Sequence, residues 1–217
     1  MPTARERARV QTTEAILAAA RAQLAEVGAA ALSLRAVARE VGMVSSAVYR
    51  YFPSRDELLT ALIVEAYDAV GEAAERAQAD VAGASPRERW LAVWRGVRAW
   101  AQARPAQYAL IYGSPVPGYA APLDTLPAAG RVAMVLIGIA READGDVDPG
   151  DGVAASVGAD LVPGLDPRLA PAAVTAWTLL FGTVGFELFG QYENVVIDRA
   201  TYFDHVAGTA ASTVGIR

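Results

Sequence analysis

The chain has no cysteine, no lysine and a single histidine, His205. Without cysteine there is no disulfide, no thiolate metal ligand and no cysteine nucleophile. One imidazole leaves little for a histidine-dependent triad. No G-x-S-x-G elbow, H-E-x-x-H pair or G-x-x-x-x-G-K loop occurs. No catalytic residue, metal site or cofactor is therefore expected, and the chain is not read as an enzyme. Bilayer-length apolar runs are also missing. Residues 132–140 are too few, and residues 170–190 are interrupted by Thr175, Thr178, Thr183 and Glu187. Residues 1–15 are charged and lack the apolar stretch of a secretory signal. A soluble, cytoplasmic protein with no membrane partner is expected. The absence of lysine, alongside abundant alanine, reads as coding bias rather than function.

What is present is apolar and helical. Hydrophobic residues make up 53% of 217, enough for a large core and incompatible with general disorder. The net charge of −5 is unevenly spread. Residues 1–60 hold eight arginines against six acids, and the remainder eleven arginines against eighteen acids. A basic head on an acidic body is the charge pattern of a DNA reader joined to a separate regulatory domain.

Ile16, Leu17, Ala20, Leu24 and Val27 recur at helical spacing, predicting an amphipathic helix over residues 9–27 that Gly28 stops. Ser33 is placed to cap a short second helix with Leu34, Val37, Ala38 and Val41 inward, ended by Gly42. A third helix is expected over residues 45–51. Pro53 then breaks the chain, and Ser54 caps a long helix whose first turn carries Asp56 and Glu57, favourable at a helix N-terminus.

Two short helices across a glycine-containing turn, after a longer one, form a helix-turn-helix. The stretch V-G-M-V-S-S-A-V-Y-R-Y-F at residues 41–52 has the content that the groove-lying helix of such a unit needs. Ser45, Ser46 and Ala47 are small enough to let the backbone approach base edges. Val48 and Phe52 pack inward, and Tyr49, Arg50 and Tyr51 project where hydroxyl and guanidinium groups reach phosphates or bases. Ser33 and Arg55 open neighbouring helices and are expected to meet phosphate. Arg5, Arg7 and Arg9 are expected to form a flexible arm reaching an adjacent minor groove.

Several landmarks together resemble the N-terminal domain of the TetR/AcrR family of transcriptional regulators. They are I-L-A-A-A at 16–20, Gly28, L-S-L-R-A-V-A-R-E-V-G at 32–42, V-Y-R-Y-F at 48–52 and S-R-D-E-L-L at 54–59. One departure is Val44, where many members carry serine or threonine. Residues 176–191, A-W-T-L-L-F-G-T-V-G-F-E-L-F-G-Q, also resemble the subset named for a Trp-His-Gly signature, with Trp177 and Gly182 in place and Phe181 at the histidine position. The resemblance implies an all-α homodimer whose C-terminal helices form a ligand pocket and the dimer interface, with most members being repressors released by a small molecule.

In the C-terminal region, S-P-R-E at 85–88 is a capping box with proline at the first helical position. That helix runs to about residue 103. Further helices are expected from Pro105 to Tyr112 and over 124–143, 168–191 and 198–214, the last capped by Asp198. Residues 113–122 form a proline-glycine loop. Asp144, Asp146 and Asp148 alternate as in a calcium loop and Asp151 follows, but the twelfth position is Ala155 rather than glutamate, so a solvated loop is expected. The aromatic set Trp90, Trp94, Trp100, Tyr108, Tyr112, Trp177, Phe181 and Phe186 suits an apolar pocket, with Trp94, Tyr108, Tyr112, Trp177 and Phe181 its expected lining. Glu187, inside the most apolar helix, is expected to anchor a ligand or join a dimer contact. Glycines and small residues in the last two helices permit close packing between subunits, and His205 is expected on the surface or at that interface.

The expected architecture is all-α: a helix-turn-helix domain at residues 1–53 and a larger helical ligand-binding and dimerisation domain at residues 54–217. The expected partners are double-stranded DNA with a palindromic operator, a small apolar or aromatic effector, and a second copy of the chain. The alternative is a ligand-binding helical dimer without sequence-specific DNA binding.

Overall fold

The computed structural model describes residues 3–143, 145, 147, 153, 156–158 and 166–217, and among them the chain is helical throughout, with no strand. The acidic stretch containing Asp144, Asp146, Asp148 and Asp151 lies outside the described residues. Two compact units are formed, one from Met1–Tyr67 with Arg104–Ala128 and one from Asp68–Ala103 with Ala129–Arg217.

The first unit begins with α1 (Ala4–Val27), followed by a 3-10 turn at Ala29–Ala31, α2 (Leu34–Glu40), α3 (Ser45–Val48) and the start of α4 (Arg55–Ala79). Its core joins Ile16 and Ala20 of α1, Leu34, Val37 and Ala38 of α2, Val48 of α3, Phe52, and Leu58, Leu59 and Leu62 of α4. α6 (Pro105–Tyr112) packs against α1, and Val116 from the loop after it enters the same core. The Tyr119 hydroxyl meets Thr60 Oγ1 at 2.8 Å, which pins the proline-glycine loop.

Local chemistry sets the helix ends. Gly28 and Gly42 stand at φ 74° and 67°, the left-handed region that glycine enters without a Cβ clash. Ser54 Oγ accepts the Glu57 N–H at 3.1 Å and caps α4. Thr3 and Glu6 form a reciprocal capping box that starts α1 at Ala4, not at residue 9. The arginines expected on a flexible arm are consequently helical. Ser33 stands at the N-cap of α2, but its side chain does not cap; its N–H donates instead to Gln23 Oε1 at 2.6 Å. The regular part of α3 is four residues rather than seven. Beyond Val48 the chain tightens into i→i+3 bonds, Arg50 N–H to Ala47 O at 3.2 Å and Tyr51 N–H to Val48 O at 2.9 Å.

The second unit holds the later part of α4, α5 (Pro86–Ala103), α8 (Arg131–Ala140), α9 (Ala170–Leu188) and α10 (Arg199–Thr213). The single helix expected over 124–143 is divided into a 3-10 turn at Leu123–Thr125, α7 (Leu126–Ala129) and α8. The break falls at Gly130, where the weakest helix former after proline lowers the cost of interruption. α5 opens with the Ser85–Glu88 capping box, and Asp198 Oδ1 accepts the Thr201 N–H at 3.0 Å to start α10. α10 packs on α9 and α5, with the Trp90 indole N–H donating to Ala207 O at 3.0 Å. Among the described residues α9 alone is long and apolar enough, by length and composition, to cross a membrane. Ala176, Leu180, Phe181 and Val184 of that helix are buried in this unit.

Replacing Gly42 with alanine is expected to cost about 1–2 kcal/mol, because Cβ meets the preceding carbonyl in the left-handed region. No side chain lies within 4 Å of the new methyl group. A urea titration of the full chain reads this loss, and an unchanged midpoint would contradict the strain.

Candidate nucleic-acid interface and ligand cavity

Val48 is wholly buried, and this fixes the rotation of α3 about its axis. With Val48 inward, Ser46, Tyr49 and Arg50 are exposed, while Ser45, Ala47 and Tyr51 are half-buried. The turn residues Val41 and Met43 pack against the core, and the Met43 N–H donates to Ala38 O at 2.9 Å. The short helix is thus held at both ends. Tyr51 also packs on the core, and the Arg9 guanidinium lies 5.4 Å from its ring centroid, a cation–π contact. That contact joins the first turns of α1 to the segment after α3.

Arg5 is exposed near the N-terminus of α1, on a helix rather than an arm. Arg55 departs furthest from expectation. Its Nε donates to Leu32 O at 3.1 Å and its Nη2 to Ala29 O at 2.8 Å and Ala30 O at 3.1 Å, with Nη1 3.6 Å from Asp56. The guanidinium closes the carbonyls of the 3-10 turn, so its charge is engaged within the protein. Only the tertiary fold brings residues 29–32 to α4, which is why spacing alone presented Arg55 as a phosphate ligand.

The second unit contains a cavity of about 160 Å³ between α5, α8 and α9. Trp90, Leu136, Ile137, Val174, Trp177 and Val214 are among its lining, with Val157, five alanines and a glycine alongside. Among the described residues no charged side chain lines it. Of the six residues expected there only Trp177 does so, joined by Trp90 from the wider aromatic set. Phe181 stands behind it, ring centroids 5.5 Å apart. Trp94 is core, between Trp90 at 6.0 Å and Phe203 at 5.7 Å. Tyr108 and Tyr112 belong to the other unit, where Tyr112 stacks edge-on with Tyr67 at 6.0 Å, and burial pushes its hydroxyl pKa up. The residues missed in the sequence, Leu136 and Ile137, belong to the apolar run 132–140. Every face of that run is apolar, which marked burial but not a cavity.

Glu187 is claimed by protein partners. Arg98 donates to it through Nε and Nη2, both at 2.7 Å, and Gln102 Nε2 adds a bond at 2.9 Å. Its side chain is nearly buried, and the arginine lies 5.2 Å from the Phe203 ring centroid. Arg95 pairs with Asp204 in the same bidentate manner at 2.9 and 2.7 Å, and that hydrogen bonding holds the Asp204 carboxyl below the usual carboxylate range. These pairs tie α5 to α9 and α10. Among the described residues no group of carboxylate and imidazole side chains is arranged to hold a metal ion.

A three-helix unit presenting a short polar helix, in a chain that also encloses an apolar cavity among later helices, defines a helix-turn-helix transcriptional regulator. Residues 16–62 match the family described as bacterial regulatory proteins, tetR family, and residues 90–210 match the tetracyclin repressor-like C-terminal domain. The HTH-type transcriptional regulator Rv1816 of Mycobacterium tuberculosis is 42% identical over 216 residues, spanning 92% of this chain and 91% of its own. Among solved structures, the regulatory protein SCO4313 aligns with a TM-score of 0.83 at 33% identity, covering 98% of this chain and 100% of that one. FadR from Bacillus subtilis, solved with stearoyl-CoA, shares the fold at a TM-score of 0.61 and 18% identity, covering 92% and 98%. The chain belongs to the TetR family of transcriptional regulators.

Replacing Glu187 with alanine is expected to destabilise the protein by about 3 kcal/mol, because Arg98 is left largely buried without its counter-charge. Thermal denaturation measures this. An anchor for effector alone would instead leave stability unchanged and alter only ligand affinity.

Proposed function

We propose that the protein is a homodimeric repressor that reads a palindromic operator and is released by a small apolar or aromatic ligand. The observation that carries the reading is the anchored α3, with Val48 buried and Ser46, Tyr49 and Arg50 outside. In this proposal residues 1–53 act as the reader and residues 54–217 as the regulatory segment, in the cytoplasm with the DNA. Ser45, Ser46, Ala47, Tyr49 and Arg50 meet the groove, Tyr51 and Arg5 the flanking backbone, and Ser33 and Arg55 support them.

Exposed apolar residues on α9 and α10 support a second copy as partner. Phe186 is 54% exposed and Tyr202 41%, with Phe189 47% exposed at the end of α9, and burying such a face against its own image is the usual closure of an isologous dimer. Two reading helices would then fall about 34 Å apart, one turn of duplex, on a palindrome.

Cavity composition supports the ligand class. An apolar cavity of about 150 Å³ accommodates a molecule the size of benzene, so this one suits an uncharged ring or short hydrocarbon. The Trp90 indole N–H is already bonded to Ala207 O, so it offers little to a polar ligand. FadR of the shared fold holds stearoyl-CoA, a far larger molecule that a cavity of this size does not contain whole. Release follows from a population shift, in which the ligand favours a dimer geometry that no longer matches the half-site spacing. α4, which runs from the reader's core into the second unit, is the covalent lever.

Fluorescence anisotropy against the intergenic DNA beside the gene tests the reader. Arg50→Ala is expected to weaken binding by about tenfold or more, the size of one lost base contact, and Tyr49→Phe by less. With about six phosphates neutralised, affinity falls by about a thousandfold from 50 to 200 mM salt. If a genome-wide pull-down enriches no sequence, the protein is a ligand-binding dimer without an operator.

For the cavity, Ala173→Trp fills the space that this side chain now borders. Operator affinity is expected to stay as in the wild type while binding of naphthalene, followed by quenching of tryptophan fluorescence, is lost. Retained naphthalene binding in that variant would place the ligand elsewhere.

A further inference from the structure

Val44 is an exposed, branched apolar side chain at the head of the reading helix. It occupies the N-cap of α3, with extended backbone at φ −69° and ψ 141°, and makes no side-chain cap. Serine, threonine, aspartate or asparagine there would accept a backbone N–H and stabilise the helix. Valine does not, and with 71% of its surface exposed it does not pack either. It escapes burial although it precedes Val48 by four positions, because it lies outside the helical turn. Its place is nevertheless fixed: Met43 before it packs on the core, and Ala47 donates its N–H to Val44 O at 2.9 Å. Ala47, which makes that bond, is itself half-exposed.

We propose that Val44 is a specificity-determining element that selects thymine at one position of each half-site through its C5-methyl group. The assignment rests on α3 entering the major groove, as proposed above. In that groove the thymine C5-methyl is the one methyl group a base presents, whereas the guanine, adenine and cytosine edges are distinguished by their hydrogen-bonding atoms. Valine over a donor or acceptor strips it of water and returns no bond. Over the methyl group it buries apolar surface on both partners. Ser45 and Ser46 cannot make this distinction, because a hydroxyl both donates and accepts.

The test uses the full-length protein and duplexes it selects from a random pool. Each thymine of the selected duplex is replaced singly by deoxyuridine, which removes one methyl group and nothing else. Wild-type affinity, read by anisotropy, is expected to fall by about fourfold at one position per half-site, the value of one buried methyl-sized group. Val44→Ser, checked for folding by circular dichroism, is expected to bind without distinguishing thymine from deoxyuridine there, while keeping the wild-type response elsewhere. If wild type and variant respond alike at every position, or no deoxyuridine weakens binding, the assignment is overturned and DNA reading by α3 stands. A pool that yields no enriched sequence overturns the groove-reading proposal and this one with it.

Discussion

A helix of four residues has no stability of its own, because nucleation fixes more dihedral angles than its few hydrogen bonds repay. α3 is ordered only because Val48 and Phe52 are inserted among Ile16, Val37, Leu58 and Leu62. Everything the reader offers depends on that insertion. It sets the rotation that exposes Ser46, Tyr49 and Arg50, and it fixes where Val44 stands. Gly42 lets α2 end in one residue, so that Met43 can return to the core and the turn stays short. Arg55 and the Arg9–Tyr51 contact brace the same assembly from its two sides, one through carbonyl oxygens and the other through a ring face. The polar surface is thus positioned by apolar packing beneath it.

The second unit answers a different need, which is to be held together around a space. Charge pairs and one indole bond do much of the orienting: Arg98 and Arg95 reach from α5 to Glu187 of α9 and Asp204 of α10, and Trp90 bonds the α10 backbone. Arg131 of α8 reaches Glu75 and Asp68 of α4 in the same manner, at 2.8 Å each, and its hydrogen bonding holds the Glu75 carboxyl below the usual range. The charged members of these links stand outside the cavity, and its lining among the described residues is apolar. Such a lining discriminates by shape and by the absence of charge, not by hydrogen-bond pattern.

Much of the reader was legible because its signals are local. Helical spacing, the glycines after α1 and α2, the Ser54 cap and the serine-tyrosine-arginine content of residues 45–51 each act within a few residues. The first turns of α1 were misread for an equally local reason: the Thr3–Glu6 capping box outweighs the basic, arm-like look of residues 5–9. Glu187 reads in the sequence as a ligand anchor or dimer contact, and its partners lie instead within the chain. The charged partner, Arg98, lies 89 positions away in sequence, and no pattern joins them.

The sequence by itself determined an all-helical chain, where most helices begin and end, and which short segment gathers serine, tyrosine and arginine. These follow from hydrogen-bond caps and apolar spacing, interactions that close within one or two turns. Only the tertiary structure decided the use of each aromatic ring and charge. Trp94 became core while Trp177 became cavity wall, Tyr108 and Tyr112 joined the other unit, and Arg55 turned inward to carbonyls. Burial and pairing depend on which distant element arrives against a side chain. Residue type states what a side chain can do, and its neighbours in space settle which of those things it does.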